Sequence, residues 1–284
     1  MINFAMDQAV GLRRLLKPAG VRVLPVFGPP ERLFAIVNLA TAAARTGQQV
    51  LVVDASRGEI APAFGLSARY ELKHVLEGEV AFRDAALRTG DGVWVLPAAR
   101  GIRMLAEARV GGLDFFESLA EQAAPVDLII VNCETEDRAT RLLPGHGEVL
   151  LVLPCEPNAI VEAAARMKAL AAQHAIERFR VLMTGRNFDE ARQAVNALAQ
   201  ITDDRMNIDL VFGGSVPPDR RLRESSRVRR TIFDLDPAGS VARAFQNAAA
   251  GMMDWDLTVV TPACTTAGIA TGAAHPARAV SKLH

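Results

Sequence analysis

Residues 21–54 read VRVLPVFGPPERLFAIVNLATAAARTGQQVLVVD, and the reading of this stretch decides the fold. Val21–Phe27 is a short apolar run, read as a strand, closed by Gly28-Pro29-Pro30. Leu33–Arg45 follows with helix formers and is stopped by Gly47. Gln49–Val53 is a second apolar run, and it ends on Asp54. Val93–Leu96, Asp127–Val131, Val149–Leu153 and Phe179–Met183 repeat the pattern, with helical segments such as Ile160–Ala172 between them. Near-continuous apolar runs alternating with helices predict an α/β fold over 21–253, with a mainly parallel central sheet covered by helices on both faces. Ligands on such sheets bind beyond the carboxyl ends of the strands, so the residues just after each run are the ones to interrogate.

The flanks read differently. Residues 1–20 hold a short amphipathic stretch, Asp7–Lys17, closed by Pro18 and Gly20. Residues 254–284 are expected to form a disordered tail, because Thr258–His284 is rich in Thr, Ala, Gly and Pro without periodicity. With 284 residues, half of them hydrophobic, the chain can fill one large core. Its 32 basic and 32 acidic residues argue against a nucleic-acid coat, and no specific nucleic-acid partner is expected. The three cysteines, Cys133, Cys155 and Cys264, have no CxxC or zinc-ligand spacing, and Cys133 and Cys155 lie in apolar runs. Buried free thiols in a reducing compartment follow from that. The N-terminus lacks the apolar core of a secretory signal, and no run reaches the roughly 18–20 apolar residues of a membrane span. A cytoplasmic location is expected, with peripheral contact at the inner face of the cell membrane left open.

Several short stretches carry a resemblance to a known family. Asn38-Leu39-Ala40, Gly47 and Val50-Leu51-Val52-Val53-Asp54 look like the first helix and second strand of MinD/ParA-type P-loop NTPases. Leu72–Gly78 and Trp94-Val95-Leu96-Pro97-Ala98 resemble segments of the MinD-like branch, and Leu151–Pro157 and Val216-Pro217-Pro218-Asp219 look like its later strand ends. At the N-terminus, Asp7-Gln8-Ala9-Val10-Gly11-Leu12-Arg13 resembles the DQAxxLR segment of the FlhG (FleN) family of flagellar number and placement regulators. In that family the segment stimulates FlhF, an SRP-type GTPase. The resemblance therefore implies an FlhF-like partner and gives Asp7, Gln8, Leu12 and Arg13 the partner-activating role. The plainer reading of the same segment is a surface helix that docks Leu12, Leu15 and Leu16 on its own domain.

The same resemblance exposes what is missing. A P-loop needs glycines so that backbone N–H groups can surround phosphates, a Lys on the β/γ-phosphates, and a hydroxyl on Mg²⁺. Counting back from Asn38 without gaps places Phe27-Gly28-Pro29-Pro30-Glu31-Arg32-Leu33 at that loop. Phe27 stands for the signature lysine, Glu31 for a glycine, Arg32 for the second lysine and Leu33 for the hydroxyl. Pro29 and Pro30 each remove a donor and fix φ. The family's DxD becomes Asp54-Ala55-Ser56, and the Walker B strand ends in Asn132, which lacks the charge a hard cation favours. Gly28, Arg32, Asp54 and Asn132 thus mark a degenerate nucleotide site, and an Arg32–Asp54 salt bridge is one way of filling it. No catalytic residue, metal or cofactor is expected, ATP with Mg²⁺ being the family's own ligand. Two other readings stay open: an active MinD/ParA ATPase with unusual motifs, and a MinD-like accessory subunit of another envelope machine such as cellulose secretion.

Beyond this site, Arg220, Arg221, Arg223, Arg227, Arg229 and Arg230 form a basic cluster interrupted by Glu224. It suits anionic lipid, nucleic acid or an acidic partner surface, or it is a solvated helix face. His74, His146 and His174 share no metal-ligand spacing, and no GxSxG motif occurs.

Overall fold

The computed structural model describes residues 20–123, 125–133, 142–143, 147–154, 156–174, 176–203 and 208–261. The strands in chain order are β1 (Val21–Phe27), β2 (Val50–Asp54), β3 (Leu87–Arg88), β4 (Trp94–Pro97), β5 (Leu128–Asn132), β6 (Val149–Pro154), β7 (Arg178–Thr184), β8 (Asp209–Val216) and β9 (Thr258–Val260). The helices are α1 (Arg32–Arg45), α2 (Ile60–Ala63), α3 (Leu72–Leu76), α4 (Phe82–Ala85), α5 (Ala99–Glu107) and α6 (Gly112–Gln122). The series continues with α7 (Pro157–His174), α8 (Phe188–Asp203), α9 (Arg220–Arg227), α10 (Ile232–Leu235) and α11 (Ser240–Gly251).

Strands β2, β5, β1, β6, β7 and β8 lie side by side in that order and all run parallel, with β4 and then β3 outside β2. The central strands are buried along their whole length, which is why their sequences do not alternate. One core forms on each side of the sheet. Leu51, Val53, Phe116, Ile129, Leu151 and Phe179 pack on one face, and Leu24, Ile36, Leu39, Val52, Ile130 and Phe245 pack on the other. Helices therefore cover both faces, as the sequence predicts.

Three strands escape the sequence reading: the two-residue β3, β8 and β9. Strand β8 carries Gly213-Gly214 in its middle, and its register with β7 shifts between Val181 and Leu182, where one residue bulges out. Strand β9 corrects the expectation that the chain loses structure from 254 onward. It pairs antiparallel with β1, Val21 opposite Val260 and Thr258 opposite Val23. It takes the half of the β1 edge that β6 leaves, since β6 meets β1 only at Val26 and Phe27. Residues 262–284 lie outside the described residues. Beneath β9, Arg22 donates to the Met252 carbonyl (2.7 Å) and to Gln48 Oε1 (2.8 Å). Burial pushes its guanidinium below the ordinary value, and nearby Asp127 opposes that.

Candidate functional site

The strand order places β2, β5 and β1 next to one another, so the residues at their carboxyl ends meet. Asn132 pairs with Asp54 of β2 on one side and with Val26 of β1 on the other. Just beyond Val26 and Phe27 the chain turns through Gly28-Pro29-Pro30 into α1. The turn closes on itself: the Arg32 amide donates to the Pro29 carbonyl (2.9 Å) and the Leu33 amide to the Pro30 carbonyl (3.1 Å). Those amides face their own loop, and the two prolines have none to offer. Phe27 is fully buried in the core, whereas Glu31 is exposed.

The four residues singled out at this site do come together. Arg32 is 4 % exposed and Asp54 and Asn132 are 0 % exposed. Asn132 stands between the other two. Its Oδ1 accepts from Arg32 Nε (2.8 Å), and its Nδ2 donates to Asp54 Oδ1 (2.9 Å) and to Ser56 Oγ (2.7 Å). Arg32 Nη1 also donates to the Gly28 carbonyl (3.1 Å). The link from Arg32 to Asp54 thus runs through the amide of Asn132, where the sequence suggested a salt bridge. An amide can accept on one side and donate on the other, which an aspartate at 132 could not do.

Asp54 also organises the segment that follows it. Its Oδ1 accepts from the Ser56 amide (3.2 Å) and hydroxyl (2.8 Å), and its Oδ2 accepts from the Ile60 amide (2.8 Å) at the start of α2. Ser56, which the sequence marks only as a lost aspartate, is therefore a member of the network. The i to i+2 bond from Asp54 to the Ser56 amide is an Asx turn, and Asp-x-Ser after a strand was a readable signal for it. Next to the site, Asn38 Oδ1 accepts from the Ile232 amide (2.8 Å), fastening α1 to α10.

Gly28 has a structural reason of its own. Its φ is +147°, and a Cβ there would lie 2.4 Å from the Val152 carbonyl oxygen of β6. Gly28→Ala is expected to lower stability by about 2 kcal/mol or more, read as a fall in the urea midpoint at unchanged slope. An unchanged midpoint would mean that the β1 turn relaxes freely.

The other sequence candidates are scattered. Asp7, Gln8, Leu12 and Arg13 lie outside the described residues, as do Cys155, Cys264 and His146. Cys133 is buried, and its thiol donates to the Val131 carbonyl (3.6 Å). His74 Nδ1 accepts from the Glu71 amide (3.1 Å) in a box that caps α3. Among the described residues no group of His, Cys, Asp and Glu could hold a metal ion, and no helix is long and apolar enough to cross a membrane. The basic cluster lies on α9 and the turn after it. Asp219 caps α9 by accepting from the Arg221 amide (2.7 Å), and Arg221 pairs with Asp236. Arg220, Arg223, Arg227, Arg229 and Arg230 are exposed.

A mainly parallel sheet with the β1 turn, Asp54 and Asn132 at its carboxyl edge is the fold of the MinD/ParA-type P-loop NTPases. Solved structures agree on the fold. The cell-division protein MinD of Aquifex aeolicus superposes with a TM-score of 0.65 at 19% identity, covering 84% of this chain and 99% of that one. A ParA-family ATPase from Chlorobium tepidum superposes with a TM-score of 0.63 at 14% identity, covering 83% of this chain and 100% of that one. In sequence, the chain is similar to the antiactivator FleN of Pseudomonas aeruginosa, 29% identical over 230 residues, covering 78% of this chain and 81% of FleN. No protein-family model matches the chain.

Proposed function

We propose that this chain is an FlhG-like regulator of flagellar number and placement that works by protein contact and not by ATP hydrolysis. The partner is an FlhF-like SRP-type GTPase, reached through residues 1–20. The observation that carries the pseudo-ATPase reading is the Arg32–Asn132–Asp54–Ser56 network. A working site keeps its carboxylates available to Mg²⁺ and to the attacking water. Here both oxygens of Asp54 accept protein donors, and Asn132 brings no charge.

The sequence likeness to FleN supports the regulatory reading, and the FlhG-like segment at Asp7–Arg13 supports the choice of partner. The exposed arginines of α9 and its following turn are a second contact surface, suited to an acidic partner or an anionic membrane face.

Calorimetry with Mg-ATP and a phosphate-release assay test the reading together. The expected result is no binding heat at ATP concentrations up to about 1 mM, which places any Kd above that level, and no phosphate release above buffer. Micromolar binding with measurable turnover would put the chain among working MinD/ParA ATPases and end the pseudo-ATPase proposal.

A further inference from the structure

Both ends of the described chain leave the domain at one place. Gly20 enters β1 and Thr261 leaves β9, and these two strands run antiparallel side by side. A Cβ on Gly20 would lie 2.4 Å from Val259 Cγ1, so the Val259 side chain reaches over the point where residues 1–19 join the domain. Val259 nonetheless stays 43% exposed and Met253 44% exposed, both large apolar side chains in water. They belong together. Val259 is paired directly with Arg22 across the strands, which puts the two side chains on one face of the sheet. On that face Arg22 Nη2 lies 3.2 Å from Met253 Sδ. Val259 at the backbone end of Arg22 and Met253 at its guanidinium end are therefore two apolar patches of one strip beside Gly20.

The chain itself supplies a matching face. Leu12, Leu15 and Leu16 lie at helical spacing in the amphipathic stretch Asp7–Lys17. Only Lys17, Pro18 and Ala19 separate Leu16 from Gly20. Four Cα steps span at most about 14 Å, and one more helical turn reaches Leu12 about 6 Å further. So short a tether holds the leucines near the strip at an effective concentration in the millimolar range, where even a weak apolar contact stays mostly formed.

We infer that Met253 and Val259 are the seat for the leucine face of the chain's own N-terminal segment, which is held against the domain until a partner takes the same leucines. If the segment is the GTPase-activating element proposed above, its partner must displace Leu12 and Leu15 from this seat. The seat itself can be tested without the GTPase.

Trypsin cuts the full chain after Arg13 or Arg14 only when the segment is off the domain, and the cutting rate follows the undocked population. Met253→Gln with Val259→Thr should raise that rate about fivefold while leaving the thermal midpoint close to that of the unaltered protein, because both side chains are exposed. Leu12→Gln with Leu15→Gln should raise it to the same degree. Equal rates in all three proteins would overturn the inference. So would an increase in the leucine variant alone, since the seat would then lie elsewhere. Failure of the GTPase proposal has a separate signature: neither the unaltered chain nor the seat variant would stimulate the partner, whatever trypsin reports.

Discussion

Asp54→Ala is expected to lower the unfolding free energy by about 3–5 kcal/mol, the range for breaking a buried, hydrogen-bonded charge network from one side. The carboxylate is fully buried and accepts from the Ser56 amide and hydroxyl, the Ile60 amide and Asn132 Nδ2. Alanine leaves those donors without an acceptor, each unmet group costing about 1–3 kcal/mol before relaxation. Arg32 also loses a negative charge that it reaches through Asn132. Urea unfolding by circular dichroism measures the loss. The sign separates two kinds of protein. In an enzyme that holds strained catalytic groups ready, removing one is often neutral or stabilising. In a site turned over to structure it is costly. A loss below about 1 kcal/mol would show that the network contributes little, and the pseudo-ATPase proposal would lose its main support.

Gln8→Ala is expected to cut stimulation of an FlhF-like GTPase by about 100-fold, the scale of losing one group that orients or stabilises the reacting centre. A glutamine amide can donate and accept at once, so it can hold an attacking water beside a γ-phosphate. Asp7 suits the N-cap of the segment, and Arg13 suits steering toward an acidic surface. Gly11 costs the free helix about 1 kcal/mol relative to Ala, so ordering on contact is the expected behaviour. Leu12→Ala should weaken binding and leave the maximal rate nearly intact, whereas Gln8→Ala should do the reverse. Steady-state GTP hydrolysis titrated with the regulator separates the two effects. A chain starting at Val21 that stimulates as well as the full chain would end this mechanism.

The sequence by itself determined the central strands of the sheet and the residue types of the β1 turn. Val21–Phe27, Val50–Asp54, Leu128–Asn132, Val149–Pro154 and Arg178–Thr184 are strands because fully buried parallel strands need unbroken apolar runs, which are visible in one dimension. Phe27, Pro29, Pro30 and Leu33 were legible for a similar reason: losing a backbone donor or a hydroxyl is a property of the residue, whatever surrounds it. Tertiary structure alone decided the rest. Strand β9 exists because β6 leaves half of the β1 edge open, and no local pattern in Thr258–Val260 records that gap. Strand β8 hid behind Gly213-Gly214, since a bulge breaks the run by which a strand is recognised. Ser56 and the bridging role of Asn132 depended on strand order. Only the adjacency of β2, β5 and β1 brings Asp54, Asn132 and Arg32, far apart in the chain, within hydrogen-bond reach. An amide between a carboxylate and a guanidinium can serve both at once, and which neighbours it serves is a fact of three dimensions.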